Sequence, residues 1–172
     1  MQERNEKLTP CPFERQCKVV DSYFFIAAPL DTMIKQVHEA GSQENLPLEK
    51  TFPSTLKFLR SKNLSERACR LVIQKKIRMP YESVGSLADL RKTECPSPED
   101  FSSVLRGTGP LNDQEMSDFR EIWQALNIPD LGSLFEIYVQ LDCCETSDCV
   151  FFYFQKLFEA TKLYPLWYLT IR

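Results

Sequence analysis

The stretch that decides the fold is residues 130–162, DLGSLFEIYVQLDCCETSDCVFFYFQKLFEATK. Leu134, Ile137, Tyr138 and Leu141 recur at helical spacing, and Phe151, Phe154, Leu157 and Phe158 resume it. That pattern predicts one long, largely buried helix with Asp130 as its N-cap. Tyr138 and Asp142 stand one turn apart on it. Positions i and i+4 share a helix face, so phenol and carboxylate project from the same side as the apolar residues. A carboxylate on a buried face needs a partner, either a hydrogen-bond donor or a metal ion.

Composition bounds the rest. A chain of 172 residues, 43% hydrophobic and 12% aromatic, can bury a core and fits one domain or a piece of a larger one. It has no apolar run long enough to span a bilayer, and its first residues, MQERNEKL, are polar and of mixed charge. The expectation is therefore an intracellular, reducing compartment, nuclear or cytoplasmic, without membrane contact. Seven cysteines, at 11, 17, 69, 95, 143, 144 and 149, show no CxxC pairing, which favours structural or free thiols over a zinc site. The single histidine, His38, leaves no arrangement for a histidine-dependent triad within the chain. It is expected near a helix end, where the dipole favours its cation.

The net charge of −3 hides an asymmetry. Residues 57–78 carry eight basic side chains and one acid, whereas residues 111–160 carry ten acids against Arg120 and Lys156. Such a pair of segments suits an enzyme that grips phosphates and holds divalent cations, or else two solvated helix faces of opposite sign.

In chain order, residues 1–15 read as a loop or tail. Residues 17–26, CKVVDSYFFI, are rich in β-branched and aromatic side chains and predict a buried strand interrupted at Asp21 and Ser22. Pro29 opens a helix through Leu30, Met33, Ile34 and Val37, with Gly41 as its expected stop. A short helix follows around Pro53, Leu56 and Leu59. Ser65 then caps a basic amphipathic helix whose polar face is Arg67, Arg70 and Lys75. A stripe of cations of this kind, with Lys57 before it, can follow a nucleic-acid backbone without reading bases. A short turn of helix is expected near residues 87–90. Asn112 with Glu115 three residues on starts another amphipathic helix, through Met116, Phe119, Ile122, Trp123 and Leu126. The GTGP run at 107–110 has neither phosphate-loop pattern and reads as a turn.

Read together, VVDSYFFIAAPLDTMIKQV, TFPSTLKFL, MPYESVGSLADLRKTECPSPEDFSSVL and NIPDLGSLFEIYVQLDC resemble, in order and spacing, protein-primed family B DNA polymerases of Maverick/Polinton-type mobile elements. The likeness runs over residues 17–168. It implies an α/β (α+β, helix-rich) partial RNase H-like exonuclease fold, with few strands and several helices, over residues 16–168. Residues 1–15 would be a tail and residues 169–172 the start of a linker to a polymerase domain. It further implies that Asp142 ligates Mg2+ or Mn2+, that Tyr138 orients the attacking water or the scissile phosphate, and that Ser22, with Tyr23 beside it, contacts single-stranded DNA. The family's other exonuclease carboxylates precede this region, so one carboxylate remains where two metals need several. The expectation is a fragment or degenerate copy of a DNA-directed DNA polymerase, inactive alone. Its partners would be a single-stranded primer end, the polymerase segments missing here, or a terminal protein. The alternative is a non-enzymatic helical interaction or nucleic-acid-binding module.

Overall fold

The computed structural model describes residues 26–74, 77–105 and 107–163. These residues form six α-helices: α1 (Leu30–Gln43), α2 (Leu48–Thr51), α3 (Pro53–Ser61), α4 (Glu66–Gln74), α5 (Asp113–Ala125) and α6 (Leu131–Thr161). Three short 3-10 turns, at Tyr81–Ser83, Asp89–Arg91 and Pro98–Phe101, occupy the connection between α4 and α5. Among the described residues there is no strand, only an isolated bridge between Ser103 and Thr108. The described residues are helix-rich, as expected, and the expected sheet of an RNase H-like α/β fold is not found among them. The predicted strand at residues 17–26 lies outside the described residues except for Ile26.

Local chemistry sets the helix starts. Asn112 and Glu115 form a reciprocal capping box at α5, with Asn112 Oδ1 accepting from Glu115 N at 2.9 Å and Glu115 Oε2 from Asn112 N at 3.0 Å. Asp130 Oδ1 accepts from Ser133 N at 2.7 Å and caps α6, and Ser65 Oγ accepts from Ala68 N at 3.2 Å beside α4. The α6 helix ends where Lys162 turns left-handed, at φ 59°.

Gly41 is not the stop of α1. It lies buried inside the helix, which runs on to Gln43, and a Cβ there would stand 2.7 Å from Thr51 Cγ2. The missing side chain is what lets α2 close against α1. The predicted turn near residues 87–90 appears as the 3-10 turn Asp89–Arg91, and the first turn of α6 docks on it through Leu131 N to Lys92 O at 2.9 Å.

The core is built on one side of α6. α1 and α3 pack along it, α4 packs on α5, and Phe52, Leu56, Leu59, Ile73 and Leu134 are fully buried. The buried stripe of α6 runs through Leu134, Ile137, Leu141, Glu145, Asp148, Cys149 and Phe152. Of the second apolar run expected in the core, Phe154 is buried, whereas Phe151 and Phe158 are exposed. Two acids, Glu145 and Asp148, instead lie on the buried face between the two apolar runs.

One of them completes another helix. α3 begins at Pro53 behind Phe52, whose side chain cannot cap it, and Asp148 reaches across from α6 instead. Its Oδ1 accepts from Ser54 N at 3.0 Å, and its Oδ2 from Thr55 N and Thr55 Oγ1, both at 2.8 Å. Pro53 has no N–H and the Phe52 N–H is bonded to Leu48 O, so the Ser54 and Thr55 N–H groups are the backbone donors that the start of α3 leaves open, and both are satisfied by a negative charge at the positive end of the helix dipole. Beside it, burial and the Glu145 and Asp148 carboxylates push the Cys149 thiol up to about 12. The five described cysteines are free thiols, and Cys69 and Cys149 are buried.

His38 is not governed by the helix end. Its ring lies 4.8 Å from that of Phe52, its Nε2 is buried without a hydrogen-bond partner, and burial holds its pKa below 6.5 against a backbone hydrogen bond with Ile73. The native state thus binds a proton less readily than the unfolded chain. Stability is expected to fall as pH drops below about 6.5 and to go on falling until the native ring itself titrates. Urea midpoints measured across mildly acidic pH should show this slope in the wild type and a flatter one in His38→Phe. Equal slopes would remove His38 as the cause.

Candidate functional site

Tyr138 and Asp142 lie on one flank of α6, at the border of the core, and each is half-buried. Tyr138 is hydrogen-bonded with Asp142 and also with Tyr81, which the 3-10 turn after the buried Pro80 delivers to the site. The Tyr81 and Tyr138 rings meet edge to face at 6.2 Å and 85°, and Tyr81 meets Phe135 likewise at 6.0 Å and 77°. Burial first, then the Tyr81 hydrogen bond and the Asp142 charge, raise the Tyr138 phenol far above its ordinary range, so it remains a neutral donor at any physiological pH.

Tyr81 and Tyr138 line a cleft of about 690 Å3 with Lys35, Arg78, Ser102, Ser103 and Glu115 among its walls. Arg78 pairs with Glu115 at 3.5 Å. Glu82, next to Tyr81, accepts from Ser103 Oγ and from Val104 N at 3.1 Å, which lower its pKa and tie the 103–108 loop to the Tyr81 turn. Asp142 opens on the other side of the helix edge, into a shallow groove with Val139, Cys143, Thr146, Ser147 and Val150.

The basic segment and the acidic α5 face one another. Arg67 pairs with Glu121 at 3.2 Å, and Arg67 and Arg70 form one wall of an α4/α5 groove whose other wall carries Asp118 and Glu121. Arg60 bridges Glu49 at 2.7 Å and Glu66 at 2.9 Å. Lys57 is exposed on α3, away from that groove. Ser22, Tyr23 and Lys75 lie outside the described residues. Of the expected site residues, the structure brings together Tyr138 with Asp142, and Arg67 with Arg70.

No group of three or more His, Cys, Asp or Glu side chains suited to a metal ion occurs among the described residues. Asp142 is one oxygen donor, and the next two acids after it on α6, Glu145 and Asp148, are buried, Asp148 being spent on α3. These residues do not make a complete Mg2+ or Mn2+ site. Among the described residues no helix is long and apolar enough to cross a membrane.

Tyr81 is the site residue that the sequence reading missed. Only its place in MPYE, just after a helix break, marked it. No family model, curated protein or solved structure matches this chain.

Proposed function

We propose that this chain is the helical, C-terminal part of an exonuclease region of a protein-primed family B DNA polymerase, inactive by itself in phosphodiester hydrolysis. The observation that carries the reading is the hydrogen-bonded set Tyr81–Tyr138–Asp142 beside a polar cleft bearing Lys35 and Arg78. In this role α6 offers one carboxylate to a divalent cation and one neutral phenol to a water or phosphate oxygen, and carboxylates from elsewhere complete the metal site. Tyr81 fixes the phenol's orientation. Lys35, and Arg78 once it leaves Glu115, suit a phosphate backbone leading to the site.

The test is fluorescence anisotropy of a labelled single strand with Mg2+ or Mn2+, together with a degradation assay. Binding that strengthens with the metal is expected, weakened about tenfold or more by Asp142→Ala and about tenfold by Tyr81→Phe, with no degradation by this chain alone. Binding indifferent to metal and to Asp142 would sink the reading, and robust Asp142-dependent degradation would sink the inactivity.

The second reading, a non-enzymatic helical interaction module, is favoured by the helix-rich character of the described residues and by the apolar side chains that α6 exposes. It expects partner binding that survives Asp142→Ala and Tyr138→Phe.

A further inference from the structure

The side of α6 that faces away from the core has a pattern of its own. Val139, Cys143, Thr146, Val150, Tyr153 and Leu157 advance by steps of four, three, four, three and four. That is the spacing of a coiled-coil seam, and it holds no charged residue. Val139 is 58% and Tyr153 36% exposed, Cys143 is exposed, and the other three are half-buried. The exposed members, Val139, Cys143 and Tyr153, leave apolar surface to water on a helix whose opposite side is already buried.

We infer that this seam is an interface between two copies of the chain, packed antiparallel along α6. The seam is complementary to itself in that direction. Val139 meets Leu157 of the second copy, Cys143 meets Tyr153, and Thr146 meets Val150, so each layer sets a smaller side chain against an equal or larger one. The charges choose the direction. Flanking the seam, at the positions just before Cys143, Val150 and Leu157, stand Asp142, Cys149 and Lys156, and on the other flank Gln140, Ser147 and Phe154. The flanks carry two charges of opposite sign, and the antiparallel arrangement sets Asp142 opposite Lys156 of the second copy, twice per dimer. A parallel pair would set Asp142 opposite Ser147 and Lys156 opposite Thr161, with no charge matched. Lys156 already reaches Glu44 and Glu159 within its own chain and, having three donors, retains the capacity for another acceptor.

The seam extends about 27 Å at the helical rise of about 1.5 Å per residue. An interface of that length lies at the small end for stable complexes, so a dissociation constant on the order of 10 μM is expected. Sedimentation velocity of the full chain from low to high micromolar concentration should show the 20.0 kDa monomer converting to a dimer. The double variant Val139→Glu, Cys143→Glu, at two exposed positions, should keep the helical circular dichroism and weaken the dimer by at least tenfold. Mild oxidation of Tyr153→Cys followed by peptide mapping should give a disulfide between residues 143 and 153 of different copies. A chain monomeric throughout, or a dimer untouched by the double variant, would overturn the interface. A dominant link between the two Cys143 thiols would overturn the antiparallel register. Mass and linkage are read here without any nuclease measurement.

Discussion

Asp148→Ala is expected to cost about 3–5 kcal/mol of folding stability, a large part of what a domain of this size has. The carboxylate is 2% exposed and accepts three hydrogen bonds from the start of α3. Truncation leaves Ser54 N, Thr55 N and the Thr55 hydroxyl without their acceptor, and buried donors so stranded cost about 1–3 kcal/mol each where water cannot reach them. It also removes a charge-assisted cap, stronger than a neutral one. Asp148→Asn should fall between, since one side-chain oxygen still accepts while its amide faces donors. Thr55→Val alone should cost about 1 kcal/mol, and the double variant Asp148→Ala, Thr55→Val less than the sum, because both remove the same bond. Urea unfolding of the four proteins decides it. An Asp148→Ala cost under about 1 kcal/mol, additive with Thr55→Val, would show that the cap does not hold α3.

That cap also marks where sequence reading succeeds and fails. Asn112 with Glu115, and Asp130, were legible because a cap answers donors two or three residues away. α3 starts with Pro53 after Phe52, and nothing nearby caps it, so its partner had to come from a distant segment. The position of that partner was encoded: Leu141, Glu145, Asp148 and Phe152 follow the helical period, but two acids within a stripe read as solvent-facing until something buried is found to need them. Extending the apolar count through Phe151 and Phe158 instead rotated the expected core away from its true face. Gly41 was misread for a related reason. Its role lies in contact with Thr51, which a local rule for helix stops does not see. At the site, the adjacency of Tyr138 and Asp142 followed from helix geometry alone, whereas Tyr81 joins them only through the packing of a turn against α6.

Phe52→Ala is the second large effect, about 3–5 kcal/mol, and it tests how the short helices are held. Phe52 is fully buried between α2 and α3. Its backbone N–H closes α2 on Leu48 O at 2.7 Å, and its carbonyl accepts from Leu56 N at 3.0 Å to open α3. The ring covers His38 and fills the space where α1 meets this junction. Deleting it leaves a cavity at a place where two helix ends are already fixed by hydrogen bonds, so collapse is limited and the cost should lie in the upper part of the range for such deletions. Phe52→Leu keeps most of the volume and should cost less than about 2 kcal/mol. The pH dependence supplies an independent readout. His38 binds protons weakly in the native state because the ring is desolvated, and water admitted beside it returns its affinity toward that of the unfolded chain. The loss of stability below about pH 6.5 should therefore be shallower in Phe52→Ala than in the wild type, and nearly unchanged in Phe52→Leu. If Phe52→Ala is strongly destabilised yet keeps the full acid slope, burial by Phe52 is not what lowers the affinity of His38, and the slope must be traced to groups elsewhere in the chain.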